Sequence, residues 1–579
     1  MPIINCPNCG NRVSSLAPTC VYCGNKTTTD SDDTAIYEIK NDTLIKYHGN
    51  REVISIPQGI KTIGRGAFEG CDTVKKILVG NSVQTIGDFA FTGCNSLQKI
   101  VIDEGVTSIG FRAFAGCQAL HQVVMSHTIA SIGDRAFENC PSLEIIDIPR
   151  GVLNIGKEAF YNCSSLKDLY LSSSVKSIGY EAFSFCSSLK KIRFGKNLTS
   201  IGGRAFIGCE SLKEINLPDS LEIIGEEAFC DCSSLAQADL GNGVNSIGMM
   251  AFLNCDSLKE ITIPSSVTSI GIKAFYDCNS LKTVNLSEGL REIGSEAFRG
   301  CTSLKTISIP KSVKIFGFEV FCECPRLKNI EIGSIKRWCS MEFSIAKGNP
   351  QPYEKRLSVD GEVIKDLFVP KEAENVKGAA FANCSDIRTA VIEEGILGIG
   401  AQAFMNCTRL WEISLPETLS NIGKQAFYNC KTMTRAIIPD GVLGISSSTF
   451  AECSRLQFVK IGAGVKTIDT LAFQNCSALR YIEIGDGVTS IAKNAFVGCA
   501  RLKSVVMGKN IESISAGAFE GCGALERIYF KNQFEDMPRL LIGENPELDN
   551  VDIYYYSEQE PEIKLNAWHY DESGVAIPW

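Results

Sequence analysis

The feature that most constrains this chain is a cysteine that returns at every twenty-third position. Nineteen of the 26 cysteines lie on this step, in a run of twelve that ends at Cys324 and a run of seven that begins at Cys384. A fixed period of between about 20 and 50 residues is the signature of a solenoid or another repeat architecture. The chain is therefore predicted to form stacked coils that bury their apolar edges against one another. The nineteen are Cys71, Cys94, Cys117, Cys140, Cys163, Cys186, Cys209, Cys232, Cys255, Cys278, Cys301, Cys324, Cys384, Cys407, Cys430, Cys453, Cys476, Cys499 and Cys522.

Each repeat carries the same apolar residues at the same distance from its cysteine, which we number position 0. A phenylalanine lies three residues before every one of the nineteen cysteines, from Phe68 to Phe519. In the repeat that starts at Cys255, the aliphatic residues at positions 6 and 8, Ile261 and Ile263, alternate with polar neighbours. Such alternation predicts a half-buried β-strand.

The rest of the repeat predicts a turn, a second apolar segment and a short closing element. Pro264 is expected to end the strand because it has no N–H to donate to a neighbouring strand, and Gly271 is expected to permit a sharp bend. The segment KAFYDC that follows is too short for an independent helix, so it is predicted to form a single helical turn that packs Phe275 and Cys278 against the strands.

The motif L-x-x-I-x-I-P-x-x-V-x-x-I-G-x-x-A-F-x-x-C resembles the BspA-like class of leucine-rich repeats over residues 35 to 530. The resemblance implies a right-handed solenoid with a parallel sheet on one face and helical turns on another. It also implies a surface used for protein contacts and no catalytic activity. We therefore expect an α/β repeat solenoid, a right-handed leucine-rich-repeat rod of about 21 coils of 23 residues, preceded by a small zinc ribbon.

The repeat register divides the chain into seven segments. A hairpin at Asn41-Asp42 is expected to cap the first coil, and a loop is expected to bulge out where the register is interrupted, with Trp338, Cys339 and Phe343 on a short helix. Trp568, Tyr570 and Trp579 are expected to fold over the last coil. The predicted segments are a zinc ribbon (1–25), a flexible linker (26–34), an N-terminal cap with a degenerate first coil (35–57), a first solenoid block (58–332), an insertion loop (333–360), a second solenoid block (361–530) and a C-terminal cap (531–579).

Four further cysteines near the N-terminus predict a metal site. Cys6, Cys9, Cys20 and Cys23 follow the spacing C-x2-C-x10-C-x2-C, which supplies four thiolates for one tetrahedral Zn²⁺ with no open position. The segment is similar to the compact zinc ribbons at the N-termini of bacterial proteins, and about 25 residues hold too little core to fold without a metal. A redox pair is the alternative interpretation of each C-x-x-C. Two functions are open to the ribbon: docking to another protein and contact with nucleic acid.

The repeat cysteines allow two interpretations. Adjacent coils would place their sulfurs close enough for stacked disulfides or a metal wire. The interpretation we favour is that these thiols are reduced, buried and inert, with pKa values raised by burial. Cys230, Cys322 and Cys339 lie off the register and follow no pattern.

Composition argues against catalysis, polyanion binding and a membrane span. The chain has 57 basic and 66 acidic residues, a formal charge of −9, and only four histidines, which lie in different coils or caps. No apolar stretch is long enough to cross a bilayer, and the first residues lack a signal-peptide pattern. We therefore expect a cytoplasmic protein that is not an enzyme.

The variable positions 5 and 7 of each strand are predicted to face outward and to bind a partner. Early coils place Lys191 and Arg193 near Tyr170, a basic patch that could accept an acidic partner. Late coils offer the aromatic residues that interfaces favour, namely Trp411, Phe458, Tyr481 and Tyr529.

Three functional hypotheses follow for the whole chain. The first is an intracellular scaffold whose coils bind a protein of unknown identity while the zinc ribbon docks elsewhere. The second is an exported cell-surface adhesin of the BspA-like type. The third is nucleic-acid contact through the ribbon, which the two basic residues Arg12 and Lys26 support only weakly.

Overall fold

The computed structural model describes residues 3–5, 11–14, 22–23, 36–343, 356–533, 540–561 and 566–579. The chain divides into two compact units. The first comprises Met1–Lys305 and Glu319–Arg326, and the second comprises Thr306–Phe318 and Leu327–Trp579. Each unit is a β-solenoid, and the two units together contain about 22 turns. Within the described residues, no helix is both long and apolar enough to cross a membrane.

Each coil of the first unit contributes a longer and a shorter strand. The longer strands form three parallel sheets of seven, two and two strands, and the shorter strands pair in parallel within a separate sheet. The longer strands are Val53–Ser55, Lys76–Val79, Lys99–Ile102, Gln122–Val124, Ile145–Ile148, Asp168–Leu171, Lys191–Arg193, Glu214–Asn216, Gln237–Asp239, Glu260–Ile263 and Thr283–Leu286. The shorter strands are Thr62–Ile63, Thr85–Ile86, Ser108–Ile109, Ser131–Ile132, Asn154–Ile155, Ser177–Ile178, Ser200–Ile201, Ile223–Ile224, Ser246–Ile247, Ser269–Ile270 and Glu292–Ile293.

The second unit repeats this arrangement. Its longer strands are Thr306–Ile309, Asn329–Ile332, Arg356–Val359, Asp366–Val369, Thr389–Ile392, Glu412–Ser414, Arg435–Ile438, Phe458–Ile461, Tyr481–Glu483, Ser504–Met507, Arg527–Phe530 and Asp552–Tyr556. Its shorter strands are Ile315–Phe316, Glu342–Phe343, Asn375–Val376, Gly398–Ile399, Asn421–Ile422, Gly444–Ile445, Thr467–Ile468, Ser490–Ile491, Ser513–Ile514 and Leu541–Ile542.

The register between coils equals the sequence period. Ile261 pairs with Val284, the equivalent residue of the next repeat, and Ile270 pairs with Ile293 in the shorter sheet. The predicted strand therefore lies where the alternation placed it, and it ends at Ile263, immediately before the proline. Equivalent residues of successive coils stack at the usual spacing of ~4.8 Å between hydrogen-bonded strands.

The third side of each coil is a run of turns, so the predicted helical turn is wrong. Lys273 and Asp277 adopt φ values of 56° and 55°, which no right-handed helix allows. Their N–H groups, and that of Phe275, donate to carbonyl oxygens of the next coil at 2.8–3.0 Å, while the N–H groups between them close turns within the coil. Every residue that directly precedes one of the nineteen cysteines has a positive φ. The solenoid is therefore β and turn, and not α/β.

Gly271, at position 16 of its coil, is needed for space and not for a bend, whereas later coils carry Ser446, Asp469 and Ala492 at this position. A Cβ on Gly271 would lie 2.6 Å from backbone atoms of Gly248 and Met249 in the preceding coil. Backbones of adjacent coils approach closely at this corner, which a side chain would prevent.

The core runs along each solenoid as a stack of identical side chains. The rings of Phe252 and Phe275 lie 5.3 Å apart between centroids and 1° from parallel, and the other repeat phenylalanines stack in the same way within each unit. Alanine, phenylalanine and cysteine of the closing turns are nearly all buried. Both the longer and the shorter strands pack against this stack.

The N-terminal hairpin is confirmed. Tyr37–Lys40 pairs antiparallel with Thr43–Tyr47, and Asn41 and Asp42 both have positive φ, as a tight two-residue turn requires. Thr43–Tyr47 then pairs parallel with Thr62–Ile63, so the hairpin covers the first edge of the shorter sheet.

The described residues of the interruption, 333–343 and 356–360, add a helix and paired strands to the stack. A helix spans Ile335–Ser340, capped by the Ser334 hydroxyl, which accepts a hydrogen bond from the N–H of Arg337 at 3.1 Å. Trp338 and Cys339 lie on this helix and are buried, and the indole N–H of Trp338 donates to the carbonyl of Ala380 at 2.6 Å. A hairpin follows, with Arg356–Val359 antiparallel to Glu362–Val363.

Two further features of this region depart from the prediction or complete it. Phe343 lies in the strand Glu342–Phe343 and not on the helix. Arg356–Val359 pairs with Asn329–Ile332, so it occupies the next position among the longer strands.

Short 3-10 helices occur elsewhere in the second unit, at Lys371–Ala373 and Pro546–Leu548.

The C-terminal residues close the second unit. Ala567–Tyr570 pairs parallel with Asp552–Tyr556 and antiparallel with Ala576–Pro578. Trp568 is fully buried, and its indole N–H donates to the carbonyl of Phe530 at 2.8 Å. The expected cap of Trp568 and Tyr570 over the last coil is confirmed.

The N-terminal segment contains a short hairpin, with Ile3–Asn5 antiparallel to Arg12–Ser14. Of the four predicted zinc ligands, Cys23 is described and buried. Cys6, Cys9 and Cys20 lie outside the described residues.

Candidate partner-binding surfaces

The two sides of each longer strand have different surroundings. In Glu260–Ile263, Ile261 and Ile263 are buried, whereas Glu260 and Thr262 are exposed. We call the surface formed by positions 5 and 7 of the longer strands the outer face, together with position 4 at its edge. This is where the sequence predicted partner binding.

The buried side faces a chemically uniform interior, in which nearly every repeat cysteine of the closing turns donates a hydrogen bond to the preceding coil. The Cys255 thiol donates to the carbonyl oxygen of Phe229 at 3.3 Å, and the same oxygen accepts the backbone N–H of Cys232 at 3.4 Å. Seventeen of the nineteen cysteines make this bond, at 3.0–3.4 Å. Cys71 and Cys384, which start the two runs, have no phenylalanine at the matching position of the preceding coil.

This arrangement makes the thiols poor nucleophiles. Burial raises the pKa of Cys186 to about 12 and that of Cys453 to about 12. The reactive thiolate is therefore scarce at neutral pH. The seventeen repeat cysteines that donate this bond do so as thiols.

The structure brings together the three residues of the early patch, Tyr170, Lys191 and Arg193, together with two acids. Tyr170 pairs with Arg193 across neighbouring strands, and Asp168 pairs with Lys191. The Arg193 guanidinium lies 5.7 Å from the centroid of the Tyr170 ring. Asp147 pairs with Tyr170 from the other side, so the patch has mixed charge.

Next to this patch is a cleft that the sequence did not reveal. Gln122–Val124 and Ile145–Ile148 pair at only one residue, Gln122 with Ile145, whereas the flanking strands pair over three or four residues. The strands separate beyond that point. The resulting cleft has a volume of about 460 Å³ and is lined by His121, Gln122, Val123, Val124, Met125, Glu144, Ile145 and Asp147.

The late aromatic residues divide into an exposed and a covered group. Trp411 is 47% exposed, and Phe458 stacks on Tyr481 with 6.2 Å between ring centroids. Tyr529 is only 2% exposed, which corrects its prediction as a surface residue. It packs with Val506, Trp568 and Ala576 in a small core under the C-terminal strands.

Tyr481 lies at the edge of this covered region. It packs against the small core, and burial, together with Glu483 and Tyr570, raises its pKa. The Tyr570 hydroxyl donates to the Glu483 carboxylate at 3.4 Å, and Lys531 lies 3.0 Å from the same carboxylate. The open part of the late outer face therefore ends near Phe458.

Sequence reasoning missed three exposed residues on the late outer face. Phe368, Val391 and Ile437 occupy position 7, and between 43% and 50% of each is exposed. Phe368 and Val391 are direct neighbours on adjacent strands. The sequence contains a signal for them, because position 7 is polar in the middle coils and apolar in these three. An exposed apolar cluster of this kind indicates an interaction surface.

Comparisons with known proteins define what the chain is similar to. The family described as BspA type leucine rich repeat region matches residues 38–167, 153–278, 245–345, 361–480 and 466–558. No curated protein gives a significant sequence match. The family match covers most of the chain, and such families are typically non-enzymatic.

Solved structures of repeat proteins align with the chain at low identity. A leucine-rich repeat protein from Bacteroides ovatus is 26% identical, with a TM-score of 0.40, over 72% of this chain and 88% of its own. The pneumococcal vaccine antigen PcpA is 19% identical, with a TM-score of 0.35, over 81% and 94%. A leucine rich cell surface protein from Faecalibacterium prausnitzii is 20% identical, with a TM-score of 0.23, over 88% and 96%.

These alignments give no support to the predicted cytoplasmic location, and all three TM-scores are below 0.5. Assignment therefore rests on the family match and on the repeat itself. By both, the chain belongs to the BspA type leucine rich repeat family.

Proposed function

We propose that this protein is a non-enzymatic scaffold that binds another protein on the outer face of its solenoid. The observation that carries the proposal is the contrast between the two sides of the longer strands. The buried side carries aliphatic residues at the same positions in nearly every coil. The outer face varies from coil to coil and exposes large apolar residues such as Phe368 and Trp411. Clustered exposed apolar and aromatic residues are typical of protein interfaces.

The test is a comparison of bound proteins between variants of the full chain. In the outer-face variant, Phe368→Thr, Val391→Thr and Ile437→Thr remove apolar surface while keeping a residue that favours strands. The control carries Leu397→Thr and Leu443→Thr, which are at least as exposed but lie at position 13, outside the outer face. We expect at least one protein to be retained by the wild type and the control and lost by the outer-face variant. Identical capture by all three would contradict the proposal.

For the N-terminal segment we propose a structural zinc ribbon that serves as a docking module. The Ile3–Asn5 and Arg12–Ser14 strands flank Cys6 and Cys9, so the first cysteine pair falls in the connection of a hairpin, and Cys23 is buried. Four thiolates form a donor set that suits Zn²⁺. Cys6, Cys9, Cys20 and Cys23 would hold the ion, which would supply folding free energy and no catalysis. One zinc per chain by metal analysis, lost on substitution of Cys6 and Cys9 by Ser, is the expected result.

We further propose that the chain works in a reducing compartment, because its buried thiols donate hydrogen bonds as thiols and not as disulfides. Labelling of intact cells with a reagent that does not cross membranes separates this from the exported adhesin. Labelling of the protein on intact cells would support the adhesin. Salt-sensitive binding of nucleic acid that requires residues 1–25 would instead support the nucleic-acid hypothesis.

A further inference from the structure

We infer that the late outer face binds an acidic segment of a partner protein that carries apolar anchors. The inference rests on the proposed function and specifies its partner. We define the late patch as Phe368, Val391, Trp411, Ile437 and Phe458. We define the late cations as Lys365, Arg388, Arg435, Lys460 and Arg480.

The late patch offers apolar contact area along five successive coils, whose longer strands belong to two neighbouring sheets. Phe368 pairs with Val391, and Val391 pairs in turn with Ser414. The next coil presents Ile437, and the one after it presents Phe458. At ~4.8 Å per coil, the five coils span about 19 Å, the length of an extended segment of about six residues.

The late cations alternate with these apolar residues. Lys460 is the strand neighbour of Ile437, and the Arg435 guanidinium lies 5.2 Å from the centroid of the Phe458 ring. Lys365 and Arg388 each lie three residues before an apolar member of the patch. All five late cations are exposed, and within the described ranges none forms an ion pair with an acid of its own chain.

The acids of this surface do not balance its cations. Asp366 and Glu412 are the exposed acids at positions 5 and 7 of these coils, and the Asp366 carboxylate already accepts a hydrogen bond from the Thr389 hydroxyl at 2.7 Å. Glu483, one coil further, is paired with Lys531. A chain of net charge −9 thus presents a cationic strip, and a partner with negative charge complements it.

The apolar residues argue for a protein segment over a nucleic acid. The aliphatic side chains Val391 and Ile437 offer no ring on which a base could stack, and they separate the cations from one another. They suit the apolar side chains of a peptide, whose carboxylates would then meet the flanking arginines and lysines. The C-terminal strands bound this surface at the Tyr481 end, since they cover Tyr529.

The experiment selects random 16-residue peptides by phage display on the wild-type full chain. Each recovered peptide is then synthesised and titrated against three proteins by fluorescence anisotropy. The charge-reversed variant carries Arg388→Glu, Arg435→Glu and Lys460→Glu. The control variant makes the same charge change with Lys424→Glu, Lys466→Glu and Lys493→Glu, which are exposed outside the outer face in the coils that begin at Cys407, Cys453 and Cys476.

We expect recovered peptides to carry net negative charge and aromatic or aliphatic residues. Their affinity should fall about tenfold or more in the charge-reversed variant and less than about twofold in the control. Replacing their acids with lysine should restore binding to the charge-reversed variant. A single-stranded oligonucleotide, titrated in parallel, should bind weakly to all three.

Two results would overturn the inference and are distinguishable from failure of the proposed function. Neutral or basic peptides that need the late patch, or an oligonucleotide that binds the wild type and not the charge-reversed variant, would refute the acidic partner. In the first case the proposed function stands. If no recovered peptide is affected by either the charge-reversed or the outer-face variant, both the inference and the assignment of this surface fail.

Discussion

The buried and the outer side of the same β-strands follow opposite rules in this protein. The buried side packs against an interior in which phenylalanine rings of the closing turns stack coil upon coil and cysteine thiols donate to phenylalanine carbonyls with little variation. On the outer face, position 7 is Asn285 in one coil, Val391 in another and Lys460 in a third. Stacking identical coils requires only that the contacts between coils repeat. The outer face contributes little to that requirement, so its residues are free to differ.

Alkaline pH should produce the largest effect, because it acts on the buried thiols of many coils at once. Burial raises the pKa of thiols such as Cys186 from an ordinary value of 9.0 to about 12. The protonated form is therefore favoured in the folded state, and its contribution to stability is complete below pH 9 and is lost as the pH rises towards 12. We expect the urea midpoint to fall steadily above pH 9.

The measurement is urea unfolding followed by circular dichroism at several pH values. Substituting one buried thiol, with Cys186→Ala, should flatten part of this pH dependence. A urea midpoint that stays constant up to pH 11 would show that the protonated state of the buried thiols does not contribute to stability.

Removal of one ring from the stack should cost the most of any single substitution. Phe252 is fully buried between Phe229 and Phe275, with 5.4 Å and 5.3 Å between ring centroids. Phe252→Ala should therefore lower the free energy of unfolding by about 3–5 kcal/mol. The control Glu260→Ala, on the exposed side of the following strand, should change it by less than about 0.5 kcal/mol. Equal effects in denaturant unfolding would remove the distinction between the two sides.

The thiol hydrogen bond should have a smaller effect that depends on position. Cys255→Ala removes a buried sulfur and leaves the Phe229 carbonyl with one donor, so we expect a loss of about 1–2 kcal/mol. Cys71 has no phenylalanine carbonyl to bond, and its sulfur lies 3.7 Å from the Thr73 hydroxyl at a less buried site. Cys71→Ala should therefore cost less than about 0.5 kcal/mol, as substitutions outside the core usually do. If both substitutions cost the same in urea unfolding, the bond to phenylalanine would not explain why cysteine recurs.

The sequence predicted the strand, its stop and the N-terminal hairpin because these depend on local signals. Alternation around Ile261 and the proline at 264 are read directly, as is the Asn41-Asp42 turn. The closing turn was mistaken for helix because Ala-Phe-x-x-Cys has the spacing of one helical face. The neglected signal was the residue before each cysteine. It is Gly, Asn or Asp in most repeats, as a left-handed backbone favours.

The surface was harder to predict than the coil. Trp411 is exposed as expected and Phe458 is half-buried, because period and register decide which side of a strand faces solvent. Tyr529 was misplaced because the strands that cover it, Ala567–Tyr570 and Ala576–Pro578, come later in the chain and carry no repeat. The cleft beside Ile145 depends on a local loss of strand pairing, which no single-sequence pattern records.

The most direct test of the account is the unfolding of the outer-face variant that carries Phe368→Thr, Val391→Thr and Ile437→Thr. If the buried side alone holds the coils together, this variant should unfold at the same urea concentration as the wild type while losing its partner. If its urea midpoint falls as far as that of Phe252→Ala, the outer face is part of what holds the fold together, and the division of the strand into a structural and a binding side is wrong.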